Sequence, residues 1–150
     1  MAAYEVRRVA GDGDLSDAHA VRRAVFIDEQ DVPAEIEMDG KDGGATHFVA
    51  SDVSAGTPVG VARVRFPDAD TAKAERVAVL PAHREEGLGT RLMDHLEAEA
   101  RDSDCSRVKL NAQTDVEGFY RNLGYETVSD EVFYEADIPH VRMVKELGDR

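Results

Sequence analysis

Apolar and polar positions along the chain alternate or recur in short runs that divide it into distinct elements. The most informative run is a Val-rich alternating stretch, Glu75-Arg76-Val77-Ala78-Val79-Leu80, followed by Leu88, Leu92, Met93, Leu96 and Ala100 at helical spacing. A strand therefore feeds a helix. Pro81 ends the strand side, and Gly87 and Gly89 stand where the chain turns tightly into the helix. A helix entered this way aims unpaired N–H groups and the positive end of its dipole at whatever lies ahead, which favours an anion such as phosphate. A plain turn between packed elements satisfies the same pattern.

The remaining elements fall on either side of this unit. Residues 4–9 alternate as a first strand. Asp14 and Asp17 then start a helix whose Leu15, Ala18, Val21 and Val25 face a core. Strands are expected at 46–51 and 58–66, joined by a hairpin loop at 52–57, and at 73–80. The helix runs from 87 to about 101, and an alternating strand at 107–111 returns parallel to its predecessor by a right-handed crossover. Asp115 is expected to cap a short helix holding Phe119 and Tyr120 and stopped by Gly124, and 126–134 and 141–147 read as two closing strands.

At 150 residues this is one domain, 1–150, with a single core. No apolar run approaches the roughly 20 residues that span a bilayer, and 1–10 hold no apolar stretch of signal-peptide length. With the lone Cys105, this places the expected site of action in the cytoplasm, away from membranes. A net charge of -13, from 31 acidic against 18 basic residues, makes nucleic acid a poor partner. Only four of the basic residues are Lys (Lys41, Lys73, Lys109 and Lys145), and acid excess with scarce Lys is the composition of a halophilic protein, whose carboxylates keep it hydrated while salt screens their repulsion. An acidic protein of no particular habitat reads the same way.

The spacing Arg84-Glu85-Glu86-Gly87-Leu88-Gly89 carries more than its glycines. No Lys-Ser/Thr follows Gly89, so it is not a P-loop, and Glu85 occupies the first glycine of the dinucleotide fingerprint. The pattern is R-x-x-G-x-G, and in it the chain resembles the GNAT superfamily of acetyl-CoA-dependent N-acetyltransferases. Gln113-Thr114-Asp115-Val116-Glu117-Gly118-Phe119-Tyr120-Arg121-Asn122-Leu123-Gly124-Tyr125 is similar to that family's second motif, an aromatic pair on a helix ending in Leu-Gly-aromatic. Val25-Phe26 with Glu29-Gln30, His47, Ala112-Gln113, and Ile138-Pro139-His140 with Met143 resemble its ElaA-like branch.

The resemblance implies an α+β fold, a single mixed and mostly antiparallel sheet splayed between its fourth and fifth strands and flanked by helices. It implies acetyl-CoA as co-substrate and an amine as acceptor, makes the chain an acyltransferase enzyme, and leaves a homodimer open. Pantetheine would pair with the strand of Val77, Ala78 and Val79. The diphosphate would lie on Arg84, Glu85, Glu86, Gly87, Leu88, Gly89 and Thr90, and Gln113, Phe119 and Tyr120 would line the cofactor side. Glu85 and Glu86 stand where many relatives carry Gly or a basic residue, so two carboxylates flank the expected diphosphate.

Tyr120 is expected to protonate the departing thiolate. Glu75, read as sharing the face of Val77 and Val79, is the candidate general base. Glu29, Gln30, His47 and His140 are candidates for the acceptor side. The acidic run Glu35, Glu37, Asp39 and Asp42 is either a solvated loop or a substrate-facing one that draws in a cation. His19, His83 and His95 show no spacing with other ligand types, and no metal is expected. Two other functions stay in play, a non-catalytic acyl-CoA-binding sensor of the same fold and a nucleotide-binding module using the same loop.

Overall fold

Eight strands form one sheet in the order β1-β2-β3-β4-β5-β8-β6, with β7 also paired to β8. They are β1 (Tyr4–Ala10), β2 (Thr46–Asp52), β3 (Thr57–Arg65), β4 (Thr71–Val79), β5 (Arg107–Gln113), β6 (Glu126–Thr127), β7 (Phe133–Glu135) and β8 (Ile138–Glu146). The helices are α1 (Ser16–Arg22), α2 (Ala34–Glu37), α3 (Leu88–Asp102) and α4 (Glu117–Asn122). This computed structural model describes residues 3–148, and the two terminal residues at each end of the domain expected over 1–150 lie outside the described residues.

Each face of the sheet carries its own core. Leu88, Leu92, Met93, Leu96 and Ala100 of α3 pack on Phe48, Ala62, Val64, Ala72, Val108, Leu110 and Met143, while Ala18, Val21 and Val25 pack on Val49, Val61 and Ala78 behind it. The helical stripe read from the sequence is therefore buried, and each fully buried Leu contributes about 1.5–3 kcal/mol.

All the pairings are antiparallel except β4 with β5, where Thr71–Ala74 runs parallel to Arg107–Leu110 and pairing then stops. The strands part at a bulge in β4. Arg63 faces Glu75 and Val61 faces Ala78, so Arg76 and Val77 together stand opposite Ala62, and Arg76 takes φ 55°. One extra residue shifts the alternation. Ala72 and Ala74 face the α3 core before the bulge, Val77 and Val79 pack on it afterwards, and Ala78 joins the α1 core. Glu75 thus lies on the face of Ala78, and the expectation that it shares a face with Val77 and Val79 is corrected.

Several local expectations also change. Asp14 accepts from the N–H and the Oγ of Ser16 (3.0 and 2.7 Å) just ahead of α1, but Asp17 is committed to Arg7. After α1 the helix widens into a π-helical stretch, Arg23–Glu29, closed by a Gln30 N–H to Val25 C=O bond of 3.1 Å. Asp115 caps nothing: it lies in a 3-10 turn, Thr114–Val116, and α4 starts without a side-chain cap, although Gly124 (φ 100°) does end it. The strand expected at 126–134 is two short ones, and β8 begins at Ile138 because Ala136 and Asp137 make a two-residue turn with φ 49° and 62°. Positive φ at both turn positions matches the twist of a hairpin.

Candidate active site

Where β4 and β5 part, a cleft of about 380 Å³ opens between Glu75–Val79 and Leu110–Gln113. Its upper wall is backbone. Leu80 N–H bonds to Val59 C=O on β3, so the preceding residue, Val79, turns its own N–H and C=O the other way, toward the gap. Arg84 Nε confirms that direction by donating to the Val79 carbonyl at 2.9 Å. The Val79 N–H is left at an open strand edge inside the sheet, a vacancy for a strand-like ligand.

The cleft leads to the start of α3. The first helical bond runs from Arg91 N–H to Gly87 C=O (3.1 Å), which leaves the amides of Leu88, Gly89 and Thr90 without a helical acceptor. Gly87 is required by its φ of 77°. A Cβ on Gly89 would stand 2.9 Å from the Phe119 ring, so this glycine is required by α4 packing as well as by the approach to the helix. Arg84 differs from its expected role as the cation of the loop. Its guanidinium grips Glu29 at 2.9 and 2.7 Å, and this hydrogen-bonded pairing holds the Glu29 carboxyl below its ordinary range. Glu85, held at φ 70°, and Glu86 are exposed and make no ion pair among the described residues.

Tyr120 lines the base of the cleft, buried edge-on against Phe119 (5.0 Å) and Tyr125 (5.9 Å). Burial pushes its phenol above its ordinary value of 10, and its hydroxyl has no hydrogen-bond partner among the described residues. It is a neutral O–H without an acceptor among the described residues. Gln113 donates to Gln30 Oε1 (2.9 Å) across the cleft. A side recess of about 140 Å³ shares Phe26, Gln30, Arg76, Gln113, Glu135 and His140 with the main cleft. The sequence reading did not single out Arg76, Asn111 or Glu135 as site residues, and nothing local marks them. The last two are joined by Asn111 Nδ2 donating to Glu135 at 2.7 Å.

The remaining expectations meet a buried ion network. Arg22 and Arg63 are both 0% exposed. Arg22 pairs with Glu37 (2.8 Å) and Asp42 (2.7 Å), and Arg63 pairs with Asp39 (2.8 Å), Asp42 (2.9 Å) and Glu75 (2.9 Å). Of the acidic run, Glu37, Asp39 and Asp42 are therefore paired with buried arginines and not a solvated loop, Glu37 also bordering the side recess, and only Glu35 is exposed without a partner among the described residues. Glu75 also takes Arg65 and Lys73. Burial alone would raise its carboxyl, but the hydrogen bond from Arg65 and the charges of Arg63 and Lys73 hold it down to about 2. A carboxylate held there is a very weak base, and Glu75 is better described as an anchor of β4. His47 is fully buried beside this network, with Nε2 3.1 Å from the Asp42 carbonyl and burial lowering its basicity; it does not line the cleft.

Among the described residues no group of three or more His, Cys, Asp or Glu is placed to hold a metal ion, and no helix is long and apolar enough to cross a membrane. Three likenesses agree with this geometry. YjcF of Bacillus subtilis, named an uncharacterized N-acetyltransferase, is 42% identical over 132 residues, 88% of this chain and 92% of that protein. Escherichia coli ElaA has the same fold at a TM-score of 0.82, with 30% identity over 96% of this chain and all of that one. A GNAT family acetyltransferase of Elizabethkingia anophelis, solved with acetyl-CoA bound, shares the fold alone (TM-score 0.70, 11% identity, covering 95% of this chain and 97% of that one). Residues 12–147 match the acetyltransferase (GNAT) domain, and the chain belongs to that family.

Proposed function

We propose that this chain is an acetyl-CoA-dependent N-acetyltransferase that moves an acetyl group to a primary amine of a small molecule or peptide by direct attack within a ternary complex. The parting of β4 from β5, with the Val79 N–H turned into the gap, carries this reading. Pantetheine extends the sheet along β4, the amides of Leu88, Gly89 and Thr90 receive the diphosphate, and the Val79 N–H stabilises the oxyanion as it forms. Tyr120, which burial keeps protonated, gives its proton to the leaving thiolate. The acceptor arrives protonated, and exposing its lone pair at pH 7 costs about 4.6 kcal/mol for an amine of pKa near 10.4.

The test has two parts. Thermal shift is measured with acetyl-CoA, CoA, ATP and NAD, and CoA release is then followed with an alkylamine, a diamine, an arylethylamine, glucosamine and a peptide with a free N-terminus. Acetyl-CoA and CoA should stabilise the fold, ATP and NAD should not, and at least one amine should release CoA. Equal stabilisation by ATP would return the loop to a general nucleotide site. Stabilisation by acetyl-CoA without turnover of any amine would leave a binding protein.

The loop carboxylates make a second expectation. Glu85 is a non-glycine residue at positive φ and sits beside the proposed diphosphate. Glu85→Gly removes backbone strain of about 1 kcal/mol and one repelling charge, so both the melting temperature and the acetyl-CoA affinity should rise. The native chain should bind acetyl-CoA more tightly as salt goes from low to molar, because screening shortens from about 10 Å at 0.1 M to about 3 Å at 1 M. The variant's salt dependence should be weaker. Calorimetry across a salt series on folded protein decides it, and tighter binding at low salt would contradict the repulsion.

A further inference from the structure

We infer that His140 is the general base that takes the proton from the attacking amine, an assignment resting on the transferase reading above. With Glu75 locked among three cations, the proton still needs an acceptor, and His140 belongs to the walls of both the cleft and the side recess. Its place is built by the fold. The tight Ala136–Asp137 turn brings β7 back along β8, the Phe133 ring stacks on the imidazole at an interplanar angle of 21°, and β5 holds it opposite Gln113.

The tautomer follows from one contact. His140 Nδ1 lies 2.7 Å from the Ile138 carbonyl, which only accepts, so Nδ1 carries the hydrogen. In the neutral ring Nε2 then holds the lone pair. Nε2 has no hydrogen-bond partner among the described residues, and the residue borders both cavities.

The charged groups that face this junction come from several elements. Lys73, Glu75 and Arg76 belong to β4 and Glu37 to α2, all of them in ion pairs. Glu29 of the π-helical stretch is neutralised by Arg84. Asp115 before α4 and Glu135 of β7 make no ion pair among the described residues, and Arg142 sits over the Phe133 ring at 6.0 Å. Among the described residues the unpaired charges around it are thus the carboxylates of Asp115 and Glu135 and the guanidinium of Arg142. Of the titratable groups at this junction, His140 is the one that is neither held in an ion pair nor already engaged as a hydrogen-bond acceptor, as Glu135 is by Asn111, and that lines both cavities.

The step balances. The ammonium first releases a proton to solvent, the amine lone pair then forms the C–N bond, and the adduct's N–H proton passes to Nε2. The C–S bond then breaks with its electron pair on sulphur, and the thiolate takes the Tyr120 proton. Solvent receives the proton from His140 and returns one to Tyr120, so amine and thioester have become amide and thiol.

His140→Asn keeps an N–H donor for the Ile138 carbonyl and removes Nε2. With the best amine of the panel, kcat/KM should fall by about 100-fold or more, and the limb of the wild-type pH profile due to imidazole protonation should disappear. Acetyl-CoA affinity by calorimetry should hold within about twofold, since the group lies on the acceptor side. In His140→Ala, added imidazole should restore part of the rate, a response that a purely structural role would not give, and this variant carries the test if the Asn form does not fold. Native turnover with the native pH profile in His140→Asn, or no imidazole rescue, overturns the assignment while leaving the transferase intact. A wild-type protein that binds no acetyl-CoA or acetylates no amine overturns the transferase reading itself.

Discussion

Tyr120→Phe should retain acetyl-CoA affinity and lose turnover. The ring packs edge-on between Phe119 and Tyr125, and phenylalanine keeps that surface. What disappears is the hydroxyl, which has no partner among the described residues to be left unpaired, so the fold should lose little. General acid assistance is typically worth 10²–10⁴-fold, so kcat should fall by about that factor, roughly 3 to 5 kcal/mol in the barrier. Because burial raises the phenol, the group stays protonated through neutral and mildly alkaline pH, and the wild-type rate should show no loss from its ionisation there. Calorimetry and steady-state rates on the two proteins make the comparison. A weaker cofactor affinity at unchanged kcat would make Tyr120 a packing residue, and full activity in the Phe form would hand proton delivery to water.

The largest stability effect is expected at Arg63. Its guanidinium, fully buried, bonds Asp39 through both terminal nitrogens and adds Asp42 and Glu75, so Arg63→Ala takes one cation from each of three carboxylates and leaves a cavity between them. Breaking a buried pair from one side costs about 3–5 kcal/mol, a large share of the 5–15 kcal/mol that holds a typical domain together. At roughly 2–4 °C per kcal/mol for a chain of this size, the melting temperature should drop by about 6–20 °C. Arg63→Lys should fall between the two, because an ammonium keeps the charge and loses the fork.

Acid should expose the same network. Burial opposes ionisation of Asp39 and Asp42, but the arginine hydrogen bonds outweigh it and hold both well below the usual carboxylate range, with Glu75 at about 2. Folded values below the unfolded ones mean that this stability is present above the ordinary carboxylate range and is lost as pH falls through it toward 2. The wild-type denaturation midpoint should decline steeply over that window, and the Arg63→Ala midpoint should decline less. A loss below about 1 kcal/mol at neutral pH, or parallel pH curves, would mean that the neighbouring arginines compensate.

The order of strands and helices was legible because alternation and the 3.6 period are properties of consecutive residues. The R-x-x-G-x-G loop and the Phe119-Tyr120 pair were legible for the same reason. What escaped depends on partners far along the chain. Asp39 and Asp42 look like a solvated loop until β3 brings Arg63 beneath them, 24 and 21 residues on. Arg84 looked like a free cation because nothing nearby in sequence announces Glu29, 55 residues earlier. The π-helical stretch has no residue signature, since Arg23–Glu29 is as compatible with an α-helix as with a wider one. Arg76 hid the bulge, as a positive φ on arginine is not something composition forecasts. His47 and His140 were indistinguishable as letters, yet one is sealed in a core and the other lines the cleft.

That bulge makes chain length, more than side-chain identity, the variable on which the cleft depends. Between Glu75 and Ala78 the strand carries one residue more than its neighbour needs. Taking one out restores uninterrupted alternation and lets β4 continue its ladder with β5, closing the gap into which the Val79 N–H points. Substitutions at Arg76 or Val77 leave the count intact. Deletions do not, so insertion and deletion events in this short segment are the class of genetic change to which this opening is least tolerant.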